Sequence, residues 1–141
     1  DKGVKVGLGV DGSSSNDSGY LLNEARQAML LQRVNLGANK FSPREALFTA
    51  TRGGAEVLNR NDIGQISIGK AADFAIYDLN KIAMSGAWSD PLAALVLCTP
   101  AETAYTICNG EVISQNGHLN NFDLNLSLEK HKVASKRLLD L

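Results

Sequence analysis

The chain opens with a short apolar run that leads into a polar loop. Val, Leu and Gly occupy most of residues 4–10, a composition that favours a buried strand of a parallel sheet. The residues from Asp11 to Gly19 are small or polar, so their backbone can come close to a ligand. The pattern predicts a strand that ends in a flexible loop with Asp11 at its first position.

Two helices are predicted after this loop. In the first, from about Leu21 to Val34, the residues Leu22, Ala25 and Met29 recur on one apolar face. Gly37 follows the last turn and is predicted to cap the C-terminus.

The second helix has a clear start signal. Ser42 can cap it, Pro43 suits the first helical position, and Glu45 completes a capping box. The helix is predicted to run to about Leu58. Gly53-Gly54 in its middle disfavours helix by about 1 kcal/mol per glycine, so we expect this pair to allow close packing against another element.

Short extended runs dominate the chain after Asn59. Residues 73–78 alternate as in a strand, and two further β-rich runs cover 104–108 and 111–113. Asn109-Gly110 separates the last two runs and predicts a type I′ hairpin, because both turn positions need positive φ. Asn116-Gly117 repeats this chemistry, so the pattern predicts a small antiparallel sheet.

Two more helices are predicted. Asp90-Pro91 starts a short apolar helix over 92–97, and a terminal amphipathic helix runs from about 126 to 141. The predicted apolar stripe of the terminal helix consists of Leu128, His131, Ala134, Leu138 and Leu141. The change from helical patterns before Asn59 to short extended runs after it favours a domain boundary within 60–64.

Composition narrows the class of protein. The chain has 141 residues and a formal net charge of -1, which gives no electrostatic footprint for nucleic acid or an anionic membrane. No apolar run reaches the roughly 18 residues of a transmembrane helix, and no signal peptide is recognisable, so we expect a cytoplasmic location. Two cysteines are too few for a disulfide scaffold. The length is below the roughly 200 residues that a whole (β/α)8 barrel needs, and the start at Asp1 suggests a processed chain or a fragment.

The loop after the first strand admits several interpretations. Gly7 to Gly12 matches G-x-G-x-x-G, but the acidic Asp11 would repel a pyrophosphate and the helix begins too late, so dinucleotide binding is not expected. A carboxylate at the C-terminal end of a barrel strand lies where barrel active sites are built, and it can ligate Zn²⁺ or accept a proton from a metal-bound water. Alternatively, Asp11 only caps a turn with its side chain.

Several motifs, in order along nearly the whole chain, resemble those of amidohydrolases, and more narrowly the cytosine/purine deaminase and chlorohydrolase branch. The run from Leu21 to Leu31 looks most like that of 8-oxoguanine deaminases. The motifs are Val6-Gly7-Leu8-Gly9-Val10-Asp11-Gly12-Ser13-Ser14-Ser15-Asn16-Asp17, Leu21 to Leu31, Ser42-Pro43-Arg44-Glu45-Ala46-Leu47, Ile63-Gly64-Gln65-Ile66 and Gly69-Lys70-Ala71-Ala72-Asp73-Phe74.

The resemblance implies an incomplete α/β fold. Residues 1–62 would be the last strand–helix unit of a (β/α)8 metal-dependent hydrolase barrel. Residues 63–122 would form part of a small β-sandwich domain, and 123–141 the terminal helix. The rest of the barrel would come from upstream sequence.

The resemblance also implies a chemistry. Asp11 matches the aspartate that binds the catalytic metal, Zn, and shuttles a proton while a heterocycle of the 8-oxoguanine type is hydrolytically deaminated with release of ammonia. Ser13, Asn16 and Asp17 are candidate substrate contacts from the loop, or they only shape the turn. The family's other ligands are histidines, and this chain has only His118 and His131, neither in a His-x-His pair.

We therefore expect the isolated chain to bind no zinc and to be inactive, although the parent would be an aminohydrolase. The alternative is a non-catalytic β module. Self-association is expected in either case, because barrel surface that has lost its neighbours is apolar. The missing N-terminal part is the other expected partner. Nucleic acid and membranes are not expected as partners.

Overall fold

The computed structural model describes residues 3–98 and 101–139 of the chain. The described elements begin with helices, continue with four strands that are interrupted by a short helix after the first, and end with a long helix. In chain order they are α1 (Leu21–Leu36), α2 (Pro43–Phe48), a π-helical turn (Thr49–Gly53), α3 (Gly54–Val57), β1 (Phe74–Tyr77), a 3-10 turn (Ile82–Met84), α4 (Pro91–Leu97), β2 (Thr103–Cys108), β3 (Glu111–Gln115), β4 (His118–Leu119) and α5 (Leu124–Leu139).

A small helical core holds the first part of the chain together. Ala25 and Met29 of α1 are fully buried against Ala46 of α2 and Val96 of α4. The predicted apolar face of α1 is thereby confirmed at two of its positions. The predicted cap is present as well, since the backbone N–H of Gly37 donates to Arg33 O at the helix end. Two of the four fully buried side chains are alanines, one each on α1 and α2, which lets these two helices approach each other closely.

The predicted start of the second helix is confirmed. The Ser42 hydroxyl accepts a hydrogen bond from the Glu45 N–H, and the Glu45 carboxylate accepts one from the Ser42 N–H. The helical path runs through the π-helical turn to Val57, close to the predicted end at Leu58.

Gly53 explains why glycine stands in the middle of this helix. A Cβ at Gly53 would lie 2.4 Å from the carbonyl oxygen of Val6, and one at Gly7 would lie 2.8 Å from Gly54 Cα. The helix and the segment before Asp11 therefore meet backbone to backbone, as predicted for the glycine pair.

The N-terminal segment itself differs from the prediction of a buried strand. Residues 3–10 have no strand partner within the described part of the chain, and Val4 and Val6 are 73% and 59% exposed. That prediction is wrong for the chain by itself, because a parallel strand is buried and hydrogen bonded only where neighbouring strands flank it. Among the described residues, the segment meets the helical side through Val6, Gly7 and Leu8, and Asn16 of the following loop donates to Val10 O.

The strands form one antiparallel sheet in the order β1-β2-β3-β4. Asn109 and Gly110 have φ of 50° and 84°, and they connect β2 to β3 as the hairpin signal predicted. Asn116 and Gly117 have φ of 48° and 79° and connect β3 to β4 in the same way. The local turn chemistry therefore specified both connections.

The last two helices are also present. The Asp90 carboxylate accepts from the Ala93 N–H at the start of α4, and α4 buries Ala94 and Val96. Helix α5 buries none of its described residues, and the apolar positions Leu128 and Leu138 are 47% and 73% exposed. Leu141, predicted in the same stripe, lies outside the described residues. Across the described ranges, no helix combines the length and apolarity needed to cross a membrane.

Candidate functional site

Asp11 directly follows the N-terminal segment and has a left-handed backbone, with φ of 64°. Its side chain is exposed, and its Oδ1 accepts a hydrogen bond of 2.7 Å from the Gly12 N–H. This bond reaches only the next residue, whereas an Asx turn bonds the backbone two residues on, so it does not by itself distinguish turn capping from metal binding. A carboxylate has about four acceptor positions, so it retains the capacity to bind a further group.

The loop after Asp11 folds back on itself. The N–H groups of Ser15 and Asn16 both donate to Gly12 O, at 2.9 Å and 3.0 Å. This tight turn leaves Ser13 exposed. Because the Ser13 side chain is exposed, it is accessible for the predicted substrate contact.

Asn16 is half-buried, and its side-chain amide makes three hydrogen bonds inside the protein. Asn16 Nδ2 donates to Val10 O at 2.9 Å and to Glu24 Oε1 at 3.0 Å, while its Oδ1 accepts from the Ser18 N–H at 3.2 Å. These bonds use both donors and one acceptor position of the amide. They favour the turn-shaping interpretation of Asn16 over a substrate contact.

Glu24 was not among the residues that the sequence singled out. It lies in the first turn of α1, eight residues beyond Asn16, and its side chain is half-buried. An acidic residue in a first helical turn is normally interpreted as a favourable partner of the helix dipole. The sequence offered no signal that its partner is an amide in the preceding loop.

Tyr20, at the end of this loop, is hydrogen bonded to Ala101, which lies just before β2. Its hydroxyl donates to Ala101 O at 2.6 Å and accepts from the Ala101 N–H at 2.9 Å. Ala101 is only 2% exposed, so the hydroxyl satisfies both backbone groups of a buried residue. The loop that begins at Asp11 is thus anchored at its far end by a contact spanning 81 residues of sequence.

An open, largely apolar groove of about 760 Å³ lies beside Tyr20, between the start of α1 and the sheet. Tyr77 of β1 and Thr103 of β2 also line it. Burial raises the pKa of Tyr77 above its usual value, with a smaller contribution from Tyr20.

The described residues do not by themselves supply a zinc site. Across 3–98 and 101–139, no three His, Cys, Asp or Glu side chains are grouped so that they could hold a metal ion. His118 lies at the β3–β4 turn with Nδ1 3.1 Å from Asn116 O, and His131 is exposed on α5. Asp11 offers one carboxylate, whereas a catalytic zinc normally has three protein ligands.

Comparison with curated proteins finds relatives along almost the whole chain. It is 41% identical over 137 residues to an 8-oxoguanine deaminase of Pseudomonas aeruginosa, an alignment that covers 97% of this chain and 30% of that protein. It is 40% identical over 130 residues to a hydroxydechloroatrazine ethylaminohydrolase of Pseudomonas sp. strain ADP, covering 86% of this chain and 26% of that protein. The chain thus spans less than a third of the length of these relatives.

Comparison of structures agrees. An atrazine chlorohydrolase from Arthrobacter aurescens TC1, solved in complex with zinc, superposes with a TM-score of 0.83 at 33% identity, covering 93% of this chain and 30% of the other. The chain therefore shares its mixed helix-and-sheet fold with part of a zinc-containing enzyme.

The sequence profile of the amidohydrolase family matches residues 1–113, which include Asp11, the loop to Tyr20 and the turn between β2 and β3. The hydrolase and deaminase relatives and the shared fold agree with that match. The chain belongs to the amidohydrolase family.

Proposed function

We propose that this chain is the C-terminal part of a metal-dependent amidohydrolase that deaminates a purine-like heterocycle, of the 8-oxoguanine type, with release of ammonia. The observation that carries the proposal is the alignment with the 8-oxoguanine deaminase, which runs along 97% of this chain but only 30% of that enzyme. The protein would act in the cytoplasm on a small molecule, without nucleic acid or a membrane as partner.

Asp11 is the residue of this chain that would act in the reaction. In the complete enzyme its carboxylate would be one ligand of the zinc ion and would accept a proton from the attacking water. Its exposure and its spare acceptor capacity support this role. Ser13, at the exposed turn of the same loop, is the proposed substrate contact.

The isolated chain is proposed to be inactive. A single carboxylate does not hold a catalytic zinc ion, and the described residues contain no group of three His, Cys, Asp or Glu side chains that could bind a metal ion. The remaining ligands would belong to the part of the barrel that the relatives have and that this chain does not span.

A non-catalytic, self-associating β module is the second candidate. Its contact surface would be the exposed apolar side chains of α5, among them Leu128 and Leu138, because such a face usually marks a contact surface. Self-association is expected of the first candidate as well. The two candidates differ in what happens when upstream sequence is joined to Asp1: only the first predicts enzymatic activity.

The test compares the 141-residue chain with the protein extended upstream of Asp1. Zinc is measured by elemental analysis, and ammonia release is measured with 8-oxoguanine, guanine and adenosine. We expect one zinc per extended protein and ammonia from 8-oxoguanine, and neither from the chain alone. Asp11→Asn in the extended protein is expected to lower kcat by at least about 10²-fold, as for loss of a general base.

Glu129→Gln is the control, because Glu129 is an exposed carboxylate of α5, outside the Asp11 loop. It should leave ammonia release unchanged. Zinc and ammonia release by the 141-residue chain would overturn the claim that it is an inactive part. An extended protein that binds zinc but deaminates none of the three rings would overturn the proposed reaction.

A further inference from the structure

We propose that Asn16 and Glu24 form a positioning pair. The pair holds the backbone of Asp11 in its left-handed conformation and thereby positions the Asp11 carboxylate. The functional part of this inference rests on the role proposed for Asp11. The structural part rests only on hydrogen bonds between the loop and α1.

The pair acts on the peptide immediately before Asp11. Asn16 Nδ2 donates to Val10 O at 2.9 Å, so the orientation of the Val10–Asp11 peptide is tied to the Asn16 side chain. A non-glycine residue at positive φ is unfavourable unless its surroundings hold it there. Asp11 has φ of 64°, and the bond to Val10 O is a contact that can hold it.

Glu24 determines which way the Asn16 amide faces. Glu24 Oε1 and Val10 O are both acceptors, and both receive hydrogen bonds from Asn16 Nδ2. A flipped amide would place its oxygen against two acceptors and its NH2 group against the Ser18 N–H, which now donates to Asn16 Oδ1. The carboxylate also makes its bond charge-assisted, which strengthens it.

The arrangement connects Asp11 to a rigid element. Glu24 belongs to the first turn of α1, whose next turns carry the fully buried Ala25 and Met29. Asp11 lies on an exposed loop, where a side chain is otherwise mobile. The path from α1 through Glu24, Asn16 and Val10 therefore transmits the position of a packed helix to the exposed carboxylate.

Two other interpretations make different predictions. If Glu24 only complements the helix dipole, any neutral replacement should have the same effect. If Asn16 contacts substrate, its loss should raise KM. A positioning role predicts that Glu24→Gln, which keeps an acceptor oxygen, rescues most of what Glu24→Ala loses, and that kcat changes rather than KM.

The structural test uses the 141-residue chain and needs no activity. NMR would follow the side-chain amide resonances of Asn16 and the hydrogen exchange of the Ser15 and Asn16 backbone amides, which close the turn onto Gly12 O. We expect Glu24→Ala to shift the Asn16 side-chain resonances and accelerate exchange at both amides, and Glu24→Gln to do so much less. Gln27→Ala, at an exposed position of α1, is the control and should change neither.

Asn16→Asp gives a sharper test, because it puts a second carboxylate against Val10 O and Glu24. It is expected to accelerate exchange in the turn more than Asn16→Ala does. Asn16 resonances and turn exchange that do not respond to either Glu24 variant would overturn the pair.

The functional test uses the extended enzyme. Loss of a residue that orients a metal ligand typically costs about 10–100-fold in activity, so we expect Glu24→Ala to lower kcat by about tenfold or more with little change in KM. Recovery of most of kcat in Glu24→Gln would support positioning. Equal losses in the two variants, or a change confined to KM, would overturn it.

The two tests separate the inference from the proposed function. The NMR experiment could show coupling of Asn16 to Glu24 while the extended wild-type protein shows no deaminase activity. That result would reject the proposed reaction but support the structural role of the pair. Activity with no such coupling would reject the pair alone.

Discussion

Glu45 and Ser42 form the best-defined local site at the residue scale. The Ser42 N–H donates to Glu45 Oε2 at 2.6 Å, and the Ser42 hydroxyl bonds the same oxygen at 2.7 Å. The backbone hydrogen bond from Ser42, followed by the bond from its hydroxyl, lowers the pKa of the Glu45 carboxyl below its ordinary value. Both bonds favour the charged form, since they satisfy the carboxylate.

The lowered pKa of Glu45 makes this cap dependent on pH. A depressed folded-state pKa contributes stability that is present above the ordinary pKa of glutamate and is lost as the pH falls through the lowered value. We expect Glu45→Gln to lower the urea midpoint of unfolding at neutral pH. The gap between variant and wild type should close as the solution is acidified.

The Ser42→Ala variant supplies the control for this effect. It removes the hydroxyl but keeps the backbone N–H, so the effect of Glu45→Gln should become smaller in that background without disappearing. A difference in urea midpoint between wild type and Glu45→Gln that stays constant from neutral to acid pH would contradict the assignment.

The contact between the second helix and the N-terminal segment is decided at the scale of elements. Gly53 and Gly54 are adjacent and both helical, yet only Gly53 faces Val6 O at a distance that excludes a Cβ. The sequence predicted close packing for the pair. It did not indicate which of the two glycines has no room for a Cβ, because the rotation of the helix about its axis depends on the neighbouring segment.

Alanine at each of the two glycines tests this difference. Gly53→Ala would force a Cβ onto a backbone carbonyl, and we expect a loss of about 1–3 kcal/mol in the free energy of unfolding. Gly54→Ala meets nothing within 4 Å, and it is expected to be neutral or to stabilise the helix by up to about 1 kcal/mol. Urea denaturation of both variants gives the comparison, and equal losses would show that Gly53 does not set this contact.

Exposed apolar surface is the main property at the scale of the whole molecule. Val4 and Val6 are 73% and 59% exposed on a segment without a strand partner among the described residues. An unpaired segment with apolar side chains is a template for pairing with another chain. Leu138 and the other apolar side chains of α5 add a second exposed surface.

We expect the 141-residue chain to self-associate for this reason. Light scattering over a dilution series should give a mass above the 15.0 kDa of one chain at high concentration. Replacing Val4 and Val6 by Lys should weaken association, whereas Gln27→Lys adds the same kind of charge at an already polar, exposed position and should not. A mass of one chain at every concentration would rule out the expected association.

Much of the fold followed from local patterns in the sequence. The Asn109-Gly110 and Asn116-Gly117 hairpins, the Ser42 capping box and the Gly37 cap depend on residues within a few positions of each other, so the sequence specifies them directly. The motif around Asp11 also indicated the family, which the profile match over residues 1–113 confirms. The assigned domain limits and the roles of Asp11 and Ser13 stay predictions.

Only the tertiary structure decided how the loop after Asp11 is held. Tyr20 bonds to Ala101 across 81 residues, and Asn16 bonds to Glu24 across the start of a helix; neither contact has a periodic or compositional signature. It also decided that Val4 and Val6 are exposed, against the prediction of a buried strand. A sequence pattern reports which side chains prefer burial or a particular backbone angle. Which groups meet, and whether a strand finds its neighbours, depends on the packing of segments far apart in the chain.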